Sequence, residues 1–248
     1  MTKKTTNQLF SPRRLHTLRA KGLGEDCTQI LDYFLDLVKM RRESVEFGEI
    51  SEITERRRAR FTLDSIFQAS LTRSINLIIG FTRLLGLNNT HSLALLARGH
   101  FETTALLGFL CDQLIAYEKA RLTFEDLHDK IAAAMLGHSG SDFPDVLKPI
   151  NVMTMIEKAD RYLKSITDGQ CSGLILDSYG WLSNFGHPNS LSSVSSFRLD
   201  REKGAFVFGD RNALKDNEKE FMNYLLLSTG IQSTFLKGIG EIGARVDF

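Results

Sequence analysis

The sequence predicts a mainly α-helical protein, a helical bundle carrying a small β-hairpin. Three observations predict it. Only 4 prolines occur in 248 residues, at Pro12, Pro144, Pro149 and Pro188, which leaves long stretches without the residue that breaks helices. Apolar residues recur at helical spacing along most of the chain. Alternation of the kind that marks a strand is confined to FRLDREKGAFVF, which predicts a hairpin near 195–208 with its turn at Arg201 to Gly204.

The elements follow in order. Residues 1–24 hold Lys3, Lys4, Arg13, Arg14, Arg19 and Lys21 and no acid, the composition of a flexible, solvated basic arm. Residues 25–248 are expected to form a single helical domain. Its first helix runs from Glu25 to about Glu46, on the stripe Ile30, Leu31, Phe34, Leu35, Leu37, Val38. Gly48 to Arg58 is charged and reads as a turn or helix start. The stripe Leu63, Ile66, Phe67, Ser70, Ser74, Leu77, Ile78, Phe81 predicts a helix from Phe61 to Leu85, stopped by Gly86. Asn88, Asn89 and Thr90 can cap the next, which extends from about Ser92 to Arg121 and is the most apolar. Up to Ala116 its charges are Arg98, Glu102 and Asp112, so it belongs in the centre of a bundle.

Thr123 is a cap for a helix reaching about Leu136, and GHSGSDFPDVLKP is a loop by composition. Helices are expected at Asn151 to Ile166 and at Ser172 to His187, the latter ended by Pro188. A last helix runs from Ala213 to about Leu236.

Composition excludes several function classes. A net charge of +1 gives no global pull toward nucleic acid or anionic lipid. The run Arg56, Arg57, Arg58, Arg60 lies beside Glu52 and Glu55 and reads first as a solvated helix face. Cys27, Cys111 and Cys171 are scattered and form no CxxC pair, so neither a zinc ribbon nor a disulfide framework is expected. No uncharged apolar run is long enough to span a membrane, and a reducing cytoplasm is the expected compartment. No P-loop, GxSxG elbow or metal-ligand cluster is present, so neither metal nor cofactor is expected.

The candidate chemistry lies in two polar series on apolar helices. Tyr179, Ser183 and His187 recur every four residues in YGWLSNFGHP, with Asn184 beside them. Arg98 and Glu102 are also four apart. Four-residue spacing lines each series along one helix face. In an exposed helical ion pair the acid is favoured N-terminal to the base; here the order is reversed, so surface stabilisation is a weak explanation. Burying such groups is costly unless they are paired or functional. A buried structural pair, or a histidine that caps helix carbonyls, is the plain alternative. Trp181, the single tryptophan, lies on the other side of its helix and reads as core.

LLARGHFETTALLGFL followed by SYGWLSNFGHPNS and a hairpin resembles a group of uncharacterised prokaryotic helical proteins, distantly related to the HEPN (higher eukaryotes and prokaryotes nucleotide-binding) proteins. The resemblance spans about Phe61 to Phe208 and implies a helical bundle in which Arg98, Glu102, Tyr179, Ser183 and His187 line one cleft. Many HEPN proteins are metal-independent ribonucleases of toxin or defence type, often dimeric. Their usual motif places an arginine shortly before the histidine on one helix. Here Gly180, Trp181, Leu182 and Ser183 occupy those positions, and Arg98 would have to supply the charge from another helix.

Two functions are therefore weighed. One is a non-catalytic binding or regulatory module with a polar cleft for an anionic ligand, held by Arg98, Asn184 and His187. The other is an endoribonuclease in which His187 is base or acid, Arg98 binds phosphate, Glu102 orients it, and Tyr179 and Ser183 donate hydrogen bonds. RNA or a small anion is the expected partner. A homodimer could form on a helical surface, without a long heptad run to argue for it. The missing arginine–histidine spacing and the near-zero net charge favour the binding module.

Overall fold

The computed structural model describes residues 9–46, 54–87, 89–137, 147–186, 197–208 and 218–246. Among them are the helices α1 (Pro12–Ala20), α2 (Gly24–Met40), α3 (Glu55–Leu84), α4 (Thr90–Glu118), α5 (Phe124–Leu136), α6 (Val152–Ile166), α7 (Leu174–Gly186) and α8 (Glu218–Arg245). The strands β1 (Phe197–Asp200) and β2 (Ala205–Phe208) pair antiparallel, Phe197 opposite Phe208 and Asp200 opposite Ala205. The protein is mainly helical with a small hairpin, as its apolar periodicity predicts. No helix among the described residues is long and apolar enough to cross a membrane.

The chain divides into two compact units, each assembled from distant segments. The first unit comprises Met1–Lys39, Ser74–Phe101 and Asp177–Gly230. Its core includes Ile30, Phe34 and Leu37 of α2, Ile78 and Phe81 of α3, and Leu93 and Phe101 of α4. An aromatic cluster joins α7 to α8: Trp181 stacks on Tyr224 with ring centroids 4.7 Å apart, and Phe185 meets Phe221 edge-on at 5.1 Å.

The basic N-terminal segment departs from the expected flexible arm. Residues 1–8 lie outside the described residues, but Leu9, Phe10 and Leu18 are buried, and α1 is capped by Ser11, whose side chain accepts from the Arg14 amide. Pro12 sits in the first turn, where its missing N–H costs nothing. The positive charges have work inside the fold. Arg14 Nη2 donates to the carbonyl oxygens of Arg83 and Leu85, at 2.6 and 2.7 Å, where α3 ends. Lys21 Nζ reaches the Gly86 carbonyl at 3.2 Å and Glu218 at 3.4 Å, and Glu218 accepts from the Gly86 amide at 2.9 Å. Cations are favoured at a helix C-terminus, whose last carbonyls have no partner within the helix. Gly86 has a φ of 85°, the left-handed conformation that ends α3 as expected.

The second unit comprises Met40–Arg73, Glu102–Leu176 and Ile231–Phe248. Its core includes Leu63, Leu110, Leu114, Ile131, Ile156, Phe235 and Ile239. Thr123 and Asp126 form a reciprocal capping box at the start of α5, the cap read from the sequence. The half-buried charge of Asp112 is matched by Arg161, whose Nε and Nη2 donate at 2.9 and 2.7 Å. The Asp160 carboxylate accepts from the amides of Gly173 and Ile175 and so caps α7 from outside.

Candidate functional site

Within the first unit, Arg98 on α4 meets Tyr179 on α7. Arg98 Nη2 donates to the Tyr179 hydroxyl at 2.9 Å, and the guanidinium carbon lies 5.1 Å from the ring centroid. Tyr179 is buried. Gly186, the last residue of α7, lies so close that a side chain there would run into Arg98 Nη1. The arginine thus sits at the carbonyl end of a helix, where a positive charge is favoured. Ser183 Oγ donates to the Tyr179 carbonyl at 2.7 Å, a bond along its own helix that occupies the hydroxyl proton. Asn184 follows on the same helix and is half-buried. His187 lies outside the described residues.

Glu102 belongs to the second unit, where it accepts from Arg73 Nη2 at 3.4 Å. Of the five expected site residues, the structure therefore brings Arg98 to Tyr179, leaves Ser183 bonded beside them on the helix, and gives Glu102 a partner the sequence reading did not single out.

That second pair stands on a cleft of about 390 Å³ within the second unit. Ile66, Ala69, Ser70 and Arg73 line it from α3; Glu102, Thr103 and Leu106 from α4; Ala134 from α5; Val152 and Met155 from α6. The spacing explains the arrangement, since Ile66, Ser70 and Arg73 fall at i, i+4 and i+7, and Glu102 and Leu106 at i and i+4. The walls are mostly apolar. Ser70 is 3% exposed, and its hydroxyl oxygen is buried without a hydrogen-bond partner. The Arg73 side chain is 57% exposed against 27% for Glu102, so the ion pair lies toward the open side. In the sequence Ser70 stood in an apolar stripe and Arg73 off it, one residue before Ser74. The signal that could have found them was a small hydroxyl in such a stripe with a cation three residues on.

A third polar pair is sealed in the first unit. His100 on α4 is fully buried, with Nδ1 2.7 Å from Ser228 Oγ on α8 and its ring edge-on to Tyr33. Its Nε2 is buried without a hydrogen-bond partner. Burial pushes the imidazole pKa down to about 3, so the ring is neutral across the physiological range.

Among the described residues, no three His, Cys, Asp or Glu side chains gather as metal ligands would. Burial pushes the Cys27 thiol up to about 11 and Cys111 to about 12, which keeps both protonated and unreactive at neutral pH. No family model matches the chain, and no curated protein or solved structure is detectably similar to it. The HEPN resemblance is thus carried by the motif residues alone.

Proposed function

We propose that the protein is a non-catalytic binding module whose small ligand occupies the cleft between α3, α4, α5 and α6. One observation carries this reading: a largely apolar cleft of about 390 Å³ contains a buried Ser70 hydroxyl with no partner, beside the Arg73–Glu102 pair. Ligand sites are typically concave, mostly apolar and furnished with a few polar groups that fix orientation. A buried hydroxyl left unpaired costs about 1–3 kcal/mol, a cost that a ligand can recover. A thermal-shift panel of small anions and zwitterions tests it. At least one class is expected to raise Tm of the wild type and not of Ala69→Trp, which blocks the open side of the cleft. A panel in which Ala69→Trp responds like the wild type would sink the reading.

One observation favours the second reading, a metal-independent HEPN-like endoribonuclease. The Arg98 guanidinium lies against Gly186, so a cation suited to phosphate stands at the end of the helix that precedes His187 in the sequence. Cleavage of labelled RNA in EDTA by the wild type, lost in His187→Ala with its circular dichroism unchanged, is the result this reading requires.

A further inference from the structure

Resting on the cleft as the binding site, we infer that its ligand is an α-amino acid with an apolar side chain, bound as the zwitterion. The polar groups divide by charge in a way that selects this chemistry. Arg73 and Glu102 present opposite charges joined by one contact of 3.4 Å. An α-amino acid carries its ammonium and carboxylate on one carbon, with nitrogen and oxygen roughly 3 Å apart by covalent geometry. Laid beside the pair, the ligand sets its ammonium on Glu102 and its carboxylate on Arg73. Four charges then alternate in sign around a ring. The protein pair stays intact, because its single contact uses one of the five guanidinium donors.

A simple anion gains Arg73 and is repelled by Glu102; a simple amine meets the reverse. Neither matches both charges. Ser70 completes the site. It stands in the cleft wall three residues from Arg73 on α3, 3% exposed as a residue, and its buried hydroxyl has no partner. Ile66, Leu106, Val152 and Met155 supply the apolar surface that receives the side chain. A cleft of about 390 Å³ admits side chains up to aromatic size. Glycine lacks the group that this surface would bury.

Isothermal titration with four probes tests the inference: L-phenylalanine, 3-phenylpropanoate (no ammonium), 2-phenylethylamine (no carboxylate) and glycine. L-Phenylalanine is expected to bind at least about tenfold more tightly than each of the others. Glu102→Gln, with its fold checked by circular dichroism, is expected to erase the advantage over 3-phenylpropanoate, and Ala69→Trp to abolish binding. If 3-phenylpropanoate binds as well as L-phenylalanine and Ala69→Trp abolishes both, the amino-acid inference is overturned while the cleft stands as the ligand site. If L-phenylalanine binds Ala69→Trp unchanged, both fall. If no probe binds at millimolar concentration, the inference is overturned, and the cleft still answers to the wider panel of anions and zwitterions.

Discussion

Arg14 donates to the carbonyl oxygen of Leu85 at 2.7 Å, across 71 residues of sequence, and the same nitrogen reaches the carbonyl of Arg83. A side chain from the first helix thereby satisfies the carbonyls that α3 cannot pair for itself. The burial of Leu9, Phe10 and Leu18 and the Lys21–Glu218 bridge point the same way: this basic segment is part of the first unit's framework.

Replacing Arg14 by alanine is expected to lower unfolding stability by about 1–2 kcal/mol, the scale of a charge-assisted bond at a helix end. Arg13→Ala, which removes an exposed neighbour of like charge, should leave the urea midpoint unchanged. Equal midpoints for both variants and the wild type would show that the cap contributes nothing.

Stability should depend on pH through His100. Its folded pKa, about 3, lies below the unfolded value near 6.5, so on acidification the unfolded chain takes up a proton that the folded one refuses. The stabilisation is complete above about pH 6.5 and is lost as pH falls toward the folded pKa. Between pH 7 and pH 5 the loss from this group is about 2 kcal/mol. His100→Phe, which keeps a flat ring in the same buried space, should flatten that part of the profile in chemical denaturation. A variant with the same slope as the wild type would remove His100 as the cause.

Two glycines on α8 should respond oppositely to alanine. A side chain at Gly238 would collide with the Tyr162 hydroxyl and lie 3.4 Å from Cys111 Sγ, whereas Gly240 has nothing within 4 Å. Gly238→Ala is expected to cost about 1–3 kcal/mol by overpacking. Gly240→Ala should add up to about 1 kcal/mol, since alanine loses less conformational freedom in a helix. The shift in thermal midpoint reads both, and two changes of the same sign would contradict the packing argument.

Those glycines also show where sequence reasoning stops. The stripe of α2, the stop at Gly86 and the caps at Asn89 and Thr123 were legible because each depends on neighbours in sequence. The sequence places the end of the last helix near Leu236, yet α8 continues to Arg245, and Gly238 in that extension admits Tyr162 from a helix distant in sequence. The helix α1 was hidden for the same reason: Arg14 and Lys21 looked solvated until Arg83, Leu85, Gly86 and Glu218 were in place to receive them. At the candidate site, helical spacing sets Arg98 and Glu102 four apart on α4, but spacing along one helix cannot name a partner on another. Tyr179 for Arg98 and Arg73 for Glu102 required the tertiary structure.

The bridge from Lys21 to Glu218 has a consequence for how the molecule is made. Lys21 is synthesised well before Glu218, so the first unit cannot finish folding until the ribosome has passed Glu218. Chains stalled before Glu218 should have α1 open to protease, and chains extended past α8 should protect it. Contacts of such long sequence separation slow folding. The segment around α1 is thus among the last parts of the first unit to be secured, and Leu9, Phe10 and Leu18 need shielding until then.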